Sequence, residues 1–242
     1  MKIAMFGHKR IPSREGGVEI VVEELASRMV KTGNEVTCFN RNGKGCVSQK
    51  YGKRYNFNGI EVKTVPTIDK KGMAAVTAAF FSSVMAAFGK YDIVHIHAEG
   101  PAFFSWIPKL FHKKIVVTVH GLDWQREKWK GGFGAKFIRK GEENAVKYAD
   151  EIIVLSKNVE QYFKTRYNRI TRFIPNGVNR PTIRKADRIR SVYGLEKNGY
   201  ILFLGRLVPE KGIMYLIEAF SKVNTDLKLV IAGGSSDTDE YE

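Results

Sequence analysis

Cysteine is nearly absent from this sequence. Only Cys38 and Cys46 occur among 242 residues, too few for a disulfide framework, and both read as free thiols of a reducing cytoplasm. No leader pattern opens the chain, because the apolar run after Lys2 lasts four residues before His8, Lys9 and Arg10, and the expected location is therefore cytoplasmic. No membrane-like segment reaches the ~18 residues that a bilayer span needs. The nearest is Met73 to Phe88, rich in Ala, Phe, Val and Ser, which predicts a buried or interfacial helix. Also missing after the first apolar run is a G-x-G-x-x-G, and that counts against a nicotinamide-dependent enzyme.

What the sequence does have is positive charge and short apolar runs. A formal charge of +15 favours anionic partners: nucleic acid, an anionic membrane surface, or phosphorylated small molecules. With 43% apolar residues the chain can bury a sizeable core. Runs at Lys2–Gly7, Glu35–Asn40, Gly59–Val65, Asp92–His97, Ile115–His120, Glu151–Leu155, Arg172–Ile174, Tyr200–Gly205 and Leu227–Ala232 predict strands. Helical spacing separates many of them, as in Val18 to Thr32. Runs of Val and Ile without alternation are buried on both faces, so the class is α/β with a parallel sheet. Ligands of such sheets bind beyond the carboxyl ends of the strands, where the strand order reverses.

Those strand ends hold the chemistry. Gly16 and Gly17 precede the first predicted helix, where a bare backbone with free N–H groups suits an anion, although an ordinary turn fits equally. His8, His97 and His120 each follow or end a strand, and with a strand order of 3-2-1-4-5 they gather above one sheet edge. His95 lies deeper on the face of His97. No spaced Cys or carboxylate completes a metal site, so no metal is expected. The polar, basic stretch from Pro175 to Gly194 reads as a linker. After it, "YILFLGRLVPEKG" predicts a buried strand and then a helix starting near Glu210 or Lys211 behind Pro209, with Arg206 and Lys211 placed to hold a diphosphate.

Taken in order, "GGVE", "VTVHG", "FIPNGV" and "GRLVPEKG" resemble the retaining glycosyltransferases of family 4. The resemblance spans essentially the whole chain, and it implies the GT-B fold of two Rossmann-like domains with helices on both faces of each sheet. Residues 1–178 would be the acceptor-binding domain, and 179–242 the linker and an incomplete nucleotide-sugar domain. The implied reaction is retaining transfer from a UDP-, GDP- or dTDP-linked sugar, with no cofactor, to a carbohydrate or lipid-linked acceptor of polysaccharide or glycolipid synthesis. The implied catalytic residues are His120, Arg206 and Lys211. Donor contacts fall on Gly16, Gly17, Gly205, Arg206, Lys211 and Gly233, and acceptor contacts on His8, His97, Glu99 and Asp123. Asn179 stands where the family usually has Asp, and Ser235 departs from its glycine pattern. The family's paired glutamates would lie beyond Glu242, so a fragment of a longer enzyme is expected.

The charge then acquires a candidate role. Arg41, Lys44, Lys50, Lys53 and Arg54 accumulate between Val36 and Ile60 with no acid among them. Trp124, Trp129, Phe133 and Phe137 interleave with Arg126, Lys128, Lys130, Lys136, Arg139 and Lys140. Such patches predict docking at an anionic bilayer. The rival readings are a sugar-nucleotide epimerase of the same architecture and a basic nucleic-acid binder, although no nucleic-acid module is recognisable.

Overall fold

Unbroken apolar runs become the central strands of the computed structural model, which describes residues 1–14, 16–43, 52–70, 72–125 and 132–234. The chain divides into two compact units, Met1–Gly177 and Val178–Glu242. In the first, β1 (Lys2–Phe6), β2 (Glu35–Arg41), β3 (Arg54–Phe57), β4 (Ile60–Val65), β5 (Ile93–His97), β6 (Lys114–Val119), β7 (Glu151–Val154) and β8 (Arg172–Phe173) form one sheet. Its order is β3-β4-β2-β1-β5-β6-β7-β8. Every pairing is parallel except β3 with β4.

Side chains two apart along a strand share a face, so β1 feeds two separate cores. Ile3 and Met5 join the core under α1 (Gly17–Lys31), with Val22, Ala26, Val36 and Cys38. Ala4 and Phe6 turn to the other face. There they meet α2 (Met73–Phe88), α3 (Glu99–Ala102), α5 (Phe133–Tyr148) and α6 (Lys157–Tyr167) through Ala78, Ala86, Ala102, Ala145 and Phe163. A short α4 (Trp106–Leu110) packs on α2. Small side chains bring α2 close: its buried stripe is Ala78, Ala79, Ser82, Ser83, Ala86 and Ala87.

Strand β3 corrects the sequence reading, which has no strand at Arg54–Phe57. It runs antiparallel to β4, with Phe57 opposite Ile60. The two residues between them, Asn58 and Gly59, both hold positive φ (51° and 83°), the backbone of a tight hairpin turn for which Asn-Gly is the favoured pair.

The second unit holds α7 (Asp187–Tyr193), β9 (Tyr200–Leu204), a 3-10 turn at Pro209–Lys211, α8 (Ile213–Ser221) and β10 (Lys228–Ala232). Strands β9 and β10 pair in parallel, with Tyr200 beside Lys228. Two expectations are corrected here. The stretch read as linker contains α7, and the helix expected near Glu210 or Lys211 begins at Ile213. Gly212, at φ 65°, separates the 3-10 turn from α8, because a left-handed residue cannot continue a right-handed helix. Among the described residues no helix is long and apolar enough to cross a membrane.

Candidate active site

Strand β1 lies between β2 and β5, so the connections on its two sides leave in opposite directions and open a crevice at their carboxyl ends. The backbones are close there. A Cβ on Gly7 would stand 2.0 Å from the carbonyl oxygen of His97, and Gly7 holds φ +114°. Glycine at this position is fixed by packing across the crevice floor.

His8, His97 and His120 do converge on this edge. His97 Nδ1 and His120 Nε2 are 3.1 Å apart, sharing one proton between them. His95 stacks on His97 with ring centroids 4.3 Å apart and reaches Thr118 Oγ1 at 2.8 Å. His8 is held by Asn40, whose Oδ1 accepts from His8 Nε2 at 3.0 Å and from the Ile11 N–H at 3.0 Å. That fixes the His8 tautomer with the proton on Nε2, so Nδ1 is a buried acceptor with no hydrogen-bond partner; His97 Nε2 is likewise buried without one. Burial pushes His8 and His95 down to about 4 and His97 well below its usual value. His120 is lowered by burial against the opposing pull of Asp123 and Glu19. The cluster is neutral near pH 7 and presents hydrogen-bonding groups without charge.

The start of α1 borders the crevice, with Gly16 as its extended N-cap and Gly17 as its first residue. A Cβ on Gly16 would meet Glu19 Oε2 at 2.0 Å, whereas one on Gly17 would meet nothing within 4 Å. Glu19 Oε1 accepts the Lys9 N–H at 2.8 Å, and Glu23, also buried, accepts the Ser13 N–H at 3.4 Å. Two helix carboxylates thus tie down the loop after β1. Sequence reasoning passed over both, although an acid at each of two positions one turn apart, right after a glycine pair, is a detectable signal.

Glu99 and Asp123 occupy the other flank. Glu99 is fully buried, and its Oε2 accepts the Asp123 N–H at 2.8 Å. Burial, and then the neighbouring Glu142 carboxyl, hold Glu99 well above the usual carboxylate range, so it is protonated near neutrality. Glu142, on α5 and unremarked in the sequence, accepts from Trp124 Nε1 at 3.0 Å, from Tyr162 at 2.8 Å and from Tyr167 at 2.5 Å. Glu99 therefore acts on the crevice by holding the backbone after His120 and not as an exposed group. Among the described residues no group of three or more His, Cys, Asp or Glu is disposed to hold a metal.

In the second unit Arg206 and Lys211 are exposed, on the segment between β9 and α8. Gly233 has a packing reason for its identity, since a Cβ there would stand 1.8 Å from the Gly205 carbonyl oxygen. Of the expected basic patches, Lys44, Lys50, Arg126, Lys128, Trp129 and Lys130 lie outside the described residues, with Cys46 and Ser235. Phe137 stacks on Phe103, Arg139 covers the Trp124 ring at 4.6 Å, and Arg54 pairs with Glu61.

Comparison with known proteins places the fold. The family model for Glycosyltransferase Family 4 matches residues 15–180, and that for glycosyl transferases group 1 matches 185–242. An uncharacterized glycosyltransferase of Methanocaldococcus jannaschii is 28% identical over the whole chain and 65% of its own length. Sucrose-phosphate synthase of Thermosynechococcus elongatus superposes with TM-score 0.76 at 20% identity, over 98% of this chain and 63% of that one. The Anabaena protein HepE, in complex with UDP and glucose, gives 0.69 at 18% identity, over 98% and 62%. The chain thus spans under two thirds of the length of each, and its fold is that of these GT-B proteins. It belongs to Glycosyltransferase Family 4.

Proposed function

We propose that this protein transfers a sugar from a nucleoside-diphosphate donor to a hydroxyl acceptor with retention of anomeric configuration. The observation that carries the reading is the neutral His97–His120 pair at the carboxyl ends of β5 and β6, beside the α1 start. Such a pair can hydrogen-bond a sugar hydroxyl without a charge to bury. Arg206 and Lys211 would neutralise the diphosphate of a UDP, GDP or dTDP donor and stabilise it as it leaves. Gly16, Gly17, Gly205 and Gly233 would let backbone approach the donor. His8 and Asp123 would face the acceptor, with His97 positioning His120 and Glu99 holding Asp123 in place, and residues 1–178 and 179–242 would divide acceptor and donor between them. In the transfer, the bond from the anomeric carbon to the phosphate oxygen breaks while the acceptor oxygen bonds to the same face of that carbon. The acceptor proton passes to the departing phosphate oxygen. No protein nucleophile takes part.

Donor binding is tested by thermal stabilisation with UDP, GDP, dTDP, ADP and NAD. One nucleoside diphosphate is expected to stabilise the chain, and Arg206→Ala with Lys211→Ala to weaken that binding at least tenfold without altering the unliganded midpoint. Unchanged affinity in the double variant would remove the diphosphate site from these residues. A product with inverted configuration, or an isomerised free donor, would overturn retaining transfer.

A further inference from the structure

Helix α2 has a second face. Its buried stripe of alanine and serine lies against the sheet, and Ala75, Ala78, Ala79 and Ser82 also line, with His8 and Arg41, a small cavity of about 10 Å³ at the crevice. Its opposite side exposes Phe80, Met85 and Phe88, and α4 with the residue after it adds Trp106, Leu110 and Phe111. The two sets are continuous. Phe88 and Phe111 have ring centroids 4.6 Å apart, and Phe80 packs edge-on to Phe104 at 5.5 Å. Neither helix carries an acidic residue.

The charge around this face is one-sided. Between Lys70 and Val119 the sequence has six lysines and two acids, Asp92 and Glu99, and Glu99 is fully buried. Lys90 and Lys114 are exposed, two and three residues along the chain from Phe88 and Phe111. Asp150, in the turn between α5 and β7, is taken up by Lys109 at 2.8 Å and Lys114 at 3.6 Å. An uncharged apolar face with a cationic margin is the chemistry that meets lipid headgroups and the first carbons of the acyl chains. At 16 residues α2 is about 24 Å long, short of the ~30 Å hydrocarbon core, so it can lie on a bilayer but not cross one.

We infer that the exposed face of α2 and α4 docks on an anionic lipid bilayer, with α2 lying in the headgroup plane. This extends the transferase reading by naming where a lipid-linked acceptor would be met, on a face that Phe104 joins to Phe137 of the second basic cluster. The helix that touches lipid is also the one whose inner side lines the crevice.

The test is co-sedimentation of the 242-residue chain with phosphatidylcholine vesicles, with and without 40% phosphatidylglycerol (on the order of what a charge-dependent contact needs), in the absence of nucleotide. Binding is expected on the anionic vesicles and is expected to weaken as salt rises. Phe88 is 71% and Leu110 67% exposed, so Phe88→Glu with Leu110→Glu should leave the thermal midpoint unchanged and cut binding at least tenfold. Lys90→Glu with Lys114→Glu provides a second probe that leaves the apolar residues alone, and should cut binding severalfold. Equal binding by wild type and both variants, or no binding by wild type, overturns the inference. So does a concentration-dependent dimer that the Phe88 and Leu110 variant dissociates while vesicles stay bare, which would make a second copy the occupant. Because nucleotide titration is read separately, failure of either proposal leaves the other standing.

Discussion

His97 and His120, at the ends of adjacent parallel strands, face each other ring to ring with Nδ1 and Nε2 3.1 Å apart. His120 commits Nε2 to that bond, so a donor sugar would be met by its Nδ1, and the orientation of that atom depends on His97. His120→Ala should lower the transfer rate about a hundredfold with nucleoside-diphosphate affinity unchanged, in the range seen for lost transition-state hydrogen bonds. His97→Ala should lower kcat about tenfold with KM little moved, since it removes a positioning contact. Initial-rate kinetics for the two variants check both, and a larger loss for His97 than for His120 would reverse their roles.

Stability should peak near neutrality for two opposed reasons. His8, His95 and His97 are depressed by burial, the first two to about 4, so below pH 6.5 the unfolded chain binds protons that the fold refuses and stability falls with acid. Glu99 is raised by burial and by Glu142. Above the ordinary carboxylate range the fold keeps a proton that the unfolded chain releases, and stability falls as pH rises. Between about pH 5 and 6 the three histidines outweigh the one carboxyl; near pH 7 they nearly cancel it, and above about pH 7.5, as unfolded histidine loses its last protons, Glu99 dominates with a slope approaching about 1.4 kcal/mol per pH unit. Urea unfolding should therefore show a fall on both sides, and Glu99→Gln, neutral at every pH, should remove most of the fall between about pH 7.5 and 8.5 and keep the acid one. A wild-type profile flat from about pH 7.5 to 8.5 would mean that Glu99 is ionised in the fold.

Much of this architecture was legible because it rests on local signals. Strands buried on both faces advertise themselves as unbroken Val and Ile, and the order of the strands from β4 to β6 through β1 matches the expected one. Strand β3 escaped because its residues alternate between exposed and half-buried; the Asn58-Gly59 pair was the sign that could have found it. The site was less legible. His8, His97 and His120 could be placed at strand ends, but Asn40 and Glu142 act through partners 32 and 18 to 25 residues away, and nothing local marks such a contact. Glu142 sits on the stripe of α5 with Ile138, Gly141 and Ala145. Only the fold shows that this acid faces inward.

Gly16 and Gly17 look equivalent in sequence, yet they should answer substitution differently. A Cβ on Gly16 runs into Glu19 Oε2 at 2.0 Å, so Gly16→Ala must move the carboxylate that holds the Lys9 N–H, at a cost of about 1 kcal/mol or more. Gly17 is helical with open space around it, so Gly17→Ala should leave stability within about 0.5 kcal/mol or raise it slightly, because alanine loses less backbone freedom in a helix. That open space is also where a donor would approach the α1 amides. Under the proposed function, Gly17→Ala should keep its unfolding midpoint and lose at least tenfold in kcat/KM for the sugar nucleotide. Unaltered kinetics would mean that the glycine pair serves the turn alone, and the donor would then have to be held without the start of α1.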